Sequence, residues 1–320
     1  MSAQDVRRYP IPVSLNLLMF AAALSGCLGL LWAASHLSIG WAFLAAAGFA
    51  VLNNTLFTLM HEAIHGVLLP HPRANALLGL ACGALVPVPL AAYAYGHMQH
   101  HVRNRTDDEL FDYYLPGDSR VRKNAWLYLG NLLGGFWALM ALATVLYLLC
   151  PWFCRSPRRR REAVGLGIGA GVGDIAQLPL GKTWLQCLFV ALTQAAMIYF
   201  LELSLSGWLL CYGAFALHWS ALQYTHHAWS ARDVETGAWN LRVFAPVRWL
   251  SLNYHYHLAH HTHPDIPWIY LGQFVGEQET RPSFWKNYLT LWGGVRPAPP
   301  MLKKACSPNA SAPPLATSNT

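Results

Sequence analysis

Three observations predict an all-α integral membrane protein, made of two transmembrane helical hairpins with additional re-entrant or interfacial helices. Of 320 residues, 54% are hydrophobic and only 12% charged, and the mean hydropathy is +0.27, far from the balance of a soluble domain. The apolar residues gather into uncharged runs close to the roughly 20 residues that cross a hydrocarbon core. One such run carries two prolines in its interior, where a straight helix loses a hydrogen bond and meets a clash.

Residues 13 to 34 and 41 to 60 are the first two runs and form a hairpin across a short turn. Arg7 and Arg8 precede them, as in a secretory signal, but the first run is longer than an h-region of about 7 to 15 residues. A retained signal anchor is therefore expected, with the arginines inside. Residues 74 to 96 contain Pro87 and Pro89 and are expected to break into a re-entrant segment. Another run covers 124 to 154, and 183 to 201 with 208 to 225 make the second hairpin, Glu202 lying at its turn. The Gly-rich stretch 165 to 173 has no βαβ unit around it, so it is a linker rather than a dinucleotide loop. The chain divides into a cytoplasmic segment 1–12, one membrane domain 13–295 and a tail 296–320 rich in Pro, Ala and Ser, expected to be disordered.

Lys and Arg in short loops favour the cytoplasm. The turns 35 to 40 and 202 to 207 hold neither, and all 22 basic residues then fall on the other side, Arg155 and the run Arg158 to Arg161 included. If the three histidine clusters build one site they share one face, so an even number of crossings separates them. Three candidate crossings lie between the second and third clusters. One must fail to cross, and the arginines after 124 to 154 mark that segment as re-entrant or interfacial.

The net charge of +7 is spread over membrane-flanking loops, which suits anionic lipid headgroups and not a nucleic acid. Cys27, Cys82, Cys187 and Cys211 lie in apolar runs, where cysteine acts as a small hydrophobe, and no paired CxxC or disulfide framework occurs. Cys150 and Cys154, four apart at a membrane edge, have a structural reading.

Eight histidines in three clusters carry the chemistry: HEAIH (His61, His65), HMQHH (His97, His100, His101) and HLAHH (His257, His260, His261). Imidazoles near membrane depth are expensive and mark function. Neutral imidazole suits Zn, Cu, Fe and Ni, and one ion cannot use eight such ligands, so two metals are implied. At four apart on a helix, His61 and His65 share a face, as do the histidines of each HxxHH. HEAIH also fits the HExxH of zinc proteases, a rival that leaves the other two clusters without a task and makes Glu62 a group that orients an imidazole. A carboxylate-built bundle site needs two ExxH motifs and two further glutamates, which are missing. A non-enzymatic metal transporter would place its ligands at the bilayer midplane, whereas these clusters sit at segment ends.

The order HxxxH, HxxHH, HxxHH around paired hydrophobic hairpins, from about Asn53 to Leu271, resembles the membrane fatty acid desaturase superfamily, with its hydroxylases, ketolases and olefin-forming decarboxylases. The resemblance implies a mushroom-shaped helical domain with a cytoplasmic cap enclosing a non-haem di-iron centre. It makes His61, His65, His97, His100, His101, His257, His260 and His261 iron ligands. Relatives use a ninth histidine, and some an amide holding a bridging water. QYTHHAW offers His227 as the ninth, with His226 as competitor and Gln223 as the amide. Asn253, His255 and His263 are read as supporting or structural, and His36, His71 and His218 as outside the site. Asp107, Asp108 or Asp112 in RNRTDDELFDYY could orient imidazoles.

The resemblance further implies two Fe ions with O2 as co-substrate, and an acyl chain as substrate, whether free acid, CoA, carrier-protein or lipid-bound. No fused haem or ferredoxin signature occurs, so electrons are expected from a separate ferredoxin, rubredoxin or cytochrome b5-type protein. Fatty acid desaturation is the expected reaction, with hydroxylation or terminal-olefin-forming decarboxylation as alternatives that histidine boxes do not separate. The expected location is a bacterial inner membrane, with the site facing the cytoplasm.

Overall fold

The computed structural model describes residues 8–156 and 176–302; the arginine run 158 to 161, the linker 165 to 173 and the tail beyond Leu302 lie outside them. Helices α1 (Val13–His36) and α2 (Ile39–Ile64) form the first hairpin. The apolar stretch around Pro87 and Pro89 divides into α3 (Pro72–Leu85) and α4 (Leu90–Arg103), bent by 99°, because Pro89 has no N–H for a continuous helix and instead caps α4. The next stretch is likewise broken: α5 (Arg120–Leu132) and α6 (Gly135–Leu149) meet at 80°. Gly134 sits between them at φ 90°, with no room for a Cβ, which would lie 3.0 Å from the Ala216 backbone.

Helices α7 (Leu180–Phe200) and α8 (Leu205–Thr225) form the second hairpin. Ser204 caps α8 by accepting from the Gly207 N–H at 3.1 Å. Among the described residues α1, α2 and α7 are long and apolar enough to cross a membrane, and each bent pair adds one span if counted whole. Helix α8 has the length of α7 but misses this standard of apolarity. Its polar residues, Ser220, Tyr224 and Thr225 among them, are turned into the interior.

Large apolar side chains of α1, α6 and α7 face outward, including Leu18 (63%), Leu142 (53%) and Leu192 (59%), the pattern of a surface whose solvent is hydrocarbon. Of the helices long enough to cross a membrane the most buried is α2, where Phe49, Leu56, Phe57, Leu59 and Met60 are fully enclosed. A cap of short elements covers its histidine end: α9 (Ala245–Leu250), α10 (His257–Thr262), the 3-10 turn Trp268–Phe274 and α11 (Phe284–Leu291). Thr55 Oγ1 donates to the Leu250 carbonyl at 2.5 Å, and Trp268 Nε1 donates to Asn16 Oδ1 at 2.9 Å, so polar groups on α1 and α2 fasten the cap. Tyr113–Tyr114 (β1) pairs in parallel with Arg296–Pro297 (β2), and the Leu302 N–H reaches the Arg232 carbonyl. The chain is thus hydrogen-bonded to the cap at Arg296 to Ala298 and at Leu302.

Candidate metal centre

Each histidine cluster arrives on the end of an element. His61 lies in the last turn of α2 and His65 is its C-cap residue. His97, His100 and His101 occupy the last two turns of α4, while α10 begins at His257 and carries His260 and His261. His227 follows the end of α8, where the His226 carbonyl accepts from the Trp239 N–H. The 99° bend between α3 and α4 matters here, because a straight helix through Pro89 could not turn HMQHH back onto α2.

Two quartets result. In the first, His61, His65, His97 and His260 each offer a ring nitrogen within 4.8 Å of the others; in the second, His100, His227, His257 and His261 do the same. Donors about 2.1 Å from one ion lie up to about 4.2 Å apart, so each set needs only slight contraction to close on an ion. His101 borders the first quartet, its Nε2 standing 3.0 Å from His97 Nε2 and 3.1 Å from His260 Nε2. Its ring is also 4.5 Å from that of His261, which makes it the partition between the sets. Nine histidines foreseen as ligands are thus brought together.

The donor chemistry suits metal ions. His61 is 2% exposed and neither of its ring nitrogens has a hydrogen-bond partner, an arrangement costly for a lone imidazole and natural for one facing a cation. Burial, reinforced by neighbouring imidazoles, holds His257, His260 and His261 well below the usual histidine range. Neutral imidazole is the form a metal takes. His227 donates Nδ1–H to the Gly237 carbonyl at 2.8 Å, which fixes its tautomer and leaves Nε2 as the free lone pair, 3.0 Å from His257 Nε2.

The supporting residues make the following contacts, and Glu62 does not make the one expected of it. Glu62 stands 3.9 Å from His61 Nδ1, too far for a hydrogen bond, and its Oε2 accepts from the Trp268 N–H at 2.9 Å instead. It braces the cap rather than orienting an imidazole. His226 lies outside both quartets, paired with His255 at 3.2 Å. Gln223 Oε1 accepts from the Tyr254 hydroxyl at 2.7 Å, while its Nε2 is buried without a partner. Asn253 donates to the Trp268 carbonyl at 3.1 Å, a bond within the cap. His263 pairs with Thr262, His36 with the Trp32 carbonyl, and His71 precedes α3, all away from the quartets.

The acidic segment after the second cluster also divides its labour unexpectedly. Asp107 pairs with Arg232 at 2.5 Å and Asp108 is exposed. Asp112 is fully buried and bridges Arg105 at 2.8 Å, also accepting from Tyr224 Oη and the Trp229 N–H. None of the three touches a histidine of the quartets; Glu109 does, with Oε2 2.6 Å from His100 Nδ1. Burial would push its carboxyl up, but His100 and Arg103 outweigh that and hold it below the usual range.

Tyr254 was not anticipated at all. Its ring lies 5.2 Å from His61, 5.1 Å from His257 and 5.6 Å from Phe57, at the seam of the two quartets. Phe57 in turn meets Tyr93 and Trp219 edge-on at 5.4 and 5.3 Å. These rings form an aromatic floor between the histidines and the helical bundle. Nothing local in the sequence marks them, since an aromatic residue three positions from a histidine has no signature of its own.

Fold and site together define an all-α membrane protein with two adjoining histidine quartets under a cap. The fatty acid desaturase family model matches residues 39–292, and the chain belongs to that family. A sphingolipid delta(4)-desaturase of Drosophila melanogaster is 25% identical over 245 residues, covering 74% of this chain and 66% of the relative. The chain thus spans slightly under two thirds of that protein's length. A beta-carotene ketolase of Paracoccus sp. (strain N81106 / MBIC 01143) is 27% identical over 256 residues, covering 74% of this chain and 84% of the ketolase.

Proposed function

We propose that this chain uses O2 to oxidise an aliphatic acyl chain at a di-iron centre held by His61, His65, His97, His100, His101, His227, His257, His260 and His261, with desaturation as the reaction. The observation that carries this reading is the pair of largely buried imidazole quartets, neither of which contains a carboxylate. Two zinc-protease histidines alone would not produce the second set, and a carboxylate-bridged centre would need acids that neither quartet contains. Membership of the family supports the same reaction class.

When bound, two irons held this way supply an O2-derived oxidant able to take hydrogen from an unactivated methylene. The protein's part is positional. The Gly237 carbonyl and Glu109 each accept a hydrogen bond from one Nδ1–H, leaving the Nε2 lone pairs of His227 and His100 for a metal. Phe57, Tyr93, Trp219 and Tyr254 wall the histidines off from water on the bundle side, which restrains competing reactions. A substrate chain held against this floor meets apolar and aromatic surface.

A second reading, oxygen insertion, draws on the ketolase relative; hydroxylation and terminal-olefin-forming decarboxylation belong with it, since they differ in how the chain is placed against the same site. The acyl group would be a free acid, a CoA or carrier-protein thioester, or a lipid. Electrons would come from a separate ferredoxin, rubredoxin or cytochrome b5-type protein, with the site facing the cytoplasm of a bacterial inner membrane. Expression in a host, followed by gas chromatography of acyl chains and headspace alkenes, tests this together with metal quantitation. New double bonds and two Fe per chain are expected; one Zn, or no metal, would sink the proposal.

A further inference from the structure

The two quartets are supported differently, and the difference lies in what the outer nitrogens of their rings touch. In the second, His100 Nδ1 meets Glu109 Oε2 at 2.6 Å and His227 Nδ1 meets the Gly237 carbonyl at 2.8 Å. In the first, among the described residues, the nearest carboxylate is Glu62, 3.9 Å from His61 Nδ1 and hydrogen-bonded elsewhere.

Local structure explains how Glu109 reaches His100. Helix α4 ends at Arg103, the Thr106 hydroxyl caps back onto the Arg103 carbonyl at 2.6 Å, and the Glu109 N–H returns to the Thr106 carbonyl at 3.0 Å. The chain therefore doubles back along the last turn of α4. His100 and Arg103, three apart, face the same side of that helix, and they hold the two carboxylate oxygens separately: His100 at 2.6 Å and Arg103 Nε at 3.5 Å. The turn is tied down further by Asn104, whose Nδ2 donates to the Gly237 carbonyl at 3.2 Å, the acceptor that also holds His227. Segment 103 to 109 thus holds His100 through Glu109 and reaches, through Asn104, the carbonyl that holds His227.

We propose that Glu109 is a positioning residue for the second quartet alone: it fixes the tautomer and ring angle of His100 and makes that metal site separately tunable from the first. This rests on the reading that the quartets hold metal. A carboxylate behind a ligating histidine raises the basicity of the ring, and its loss typically weakens metal affinity by about 10- to 100-fold. The sequence places Asp107, Asp108 and Asp112 as near to the cluster, yet Asp107 and Asp112 are committed to arginines and Asp108 is exposed.

The test is Co(II) titration of the purified full-length chain in nanodiscs, followed by absorption spectra and metal counting by mass spectrometry. The wild type should bind two Co(II). Glu109→Ala should bind the first with unchanged affinity and the second roughly 10- to 100-fold more weakly. Glu109→Gln, whose amide oxygen still accepts from Nδ1–H, should recover most of that loss and also decides the matter if the alanine variant does not accumulate folded. Unchanged affinity for both ions in the variants, or equal weakening of both, overturns the assignment of Glu109. A wild type that binds fewer than two ions overturns the functional reading itself.

Discussion

At the residue scale, neighbouring histidines with the same chemistry have different fates. His227 enters the second quartet while His226 turns to His255, because α8 ends at Thr225 and both rings lie in the turn that follows, pointing to different neighbours. Replacing His227 by Ala should lower the metal content toward one ion per chain and remove turnover. His226→Ala should keep both ions, and equal loss in the two variants, read by metal counting, would contradict this placement. Arg105 and Asp112 show the same specificity in a salt bridge. Arg105 is 1% exposed and Asp112 fully buried, and breaking such a pair by removing one charge costs about 3–5 kcal/mol. Asp112→Asn should therefore lower thermal stability by that order, measured in detergent, with Arg105 left facing Tyr224 and the Ser230 carbonyl.

At the scale of elements, the breaks matter as much as the helices. The prolines at 87 and 89 announce the bend between α3 and α4, and the histidines of α4 depend on it. The 80° bend at Gly134 is less visible in sequence, since one Gly pair in an apolar run is compatible with a continuous helix. At the bend the Ala216 backbone comes within 3.0 Å of where a Gly134 Cβ would lie, a partner more than 80 positions away. Gly207 has a similar role: a Cβ there would lie 2.5 Å from Ser35 Oγ and 2.8 Å from the Ala34 carbonyl, so α8 starts against the end of α1. Gly207→Leu should separate the two hairpins, and a melting temperature equal to the wild type's would show that the contact is dispensable.

For the whole molecule, the requirement that three distant clusters share one face governs the path of the chain. The clusters do meet, and if α7 and α8 both cross, the broken pair α5–α6, bent by 80°, is the segment proposed not to cross. A single cysteine at position 156 (Ser156→Cys), just past α6, should label from the cytoplasmic side. Labelling from the opposite side would show that α5–α6 crosses and that another segment does not.

Hydropathy, the two interior prolines and the histidine spacing by themselves determined a helical membrane protein with two hairpins, a break at the prolines and clustered histidines, because each depends on residue types a few positions apart. Tertiary structure decided how eight clustered histidines and His227 divide into quartets, with His101 between them. It also decided that Glu62 braces Trp268, that Glu109 and not a neighbouring aspartate holds His100, and that Tyr254 stands at the seam. Those outcomes depend on groups up to 206 positions apart, as in the bond from Trp268 to Glu62. Helical periodicity says which residues share a face; only packing says what that face meets.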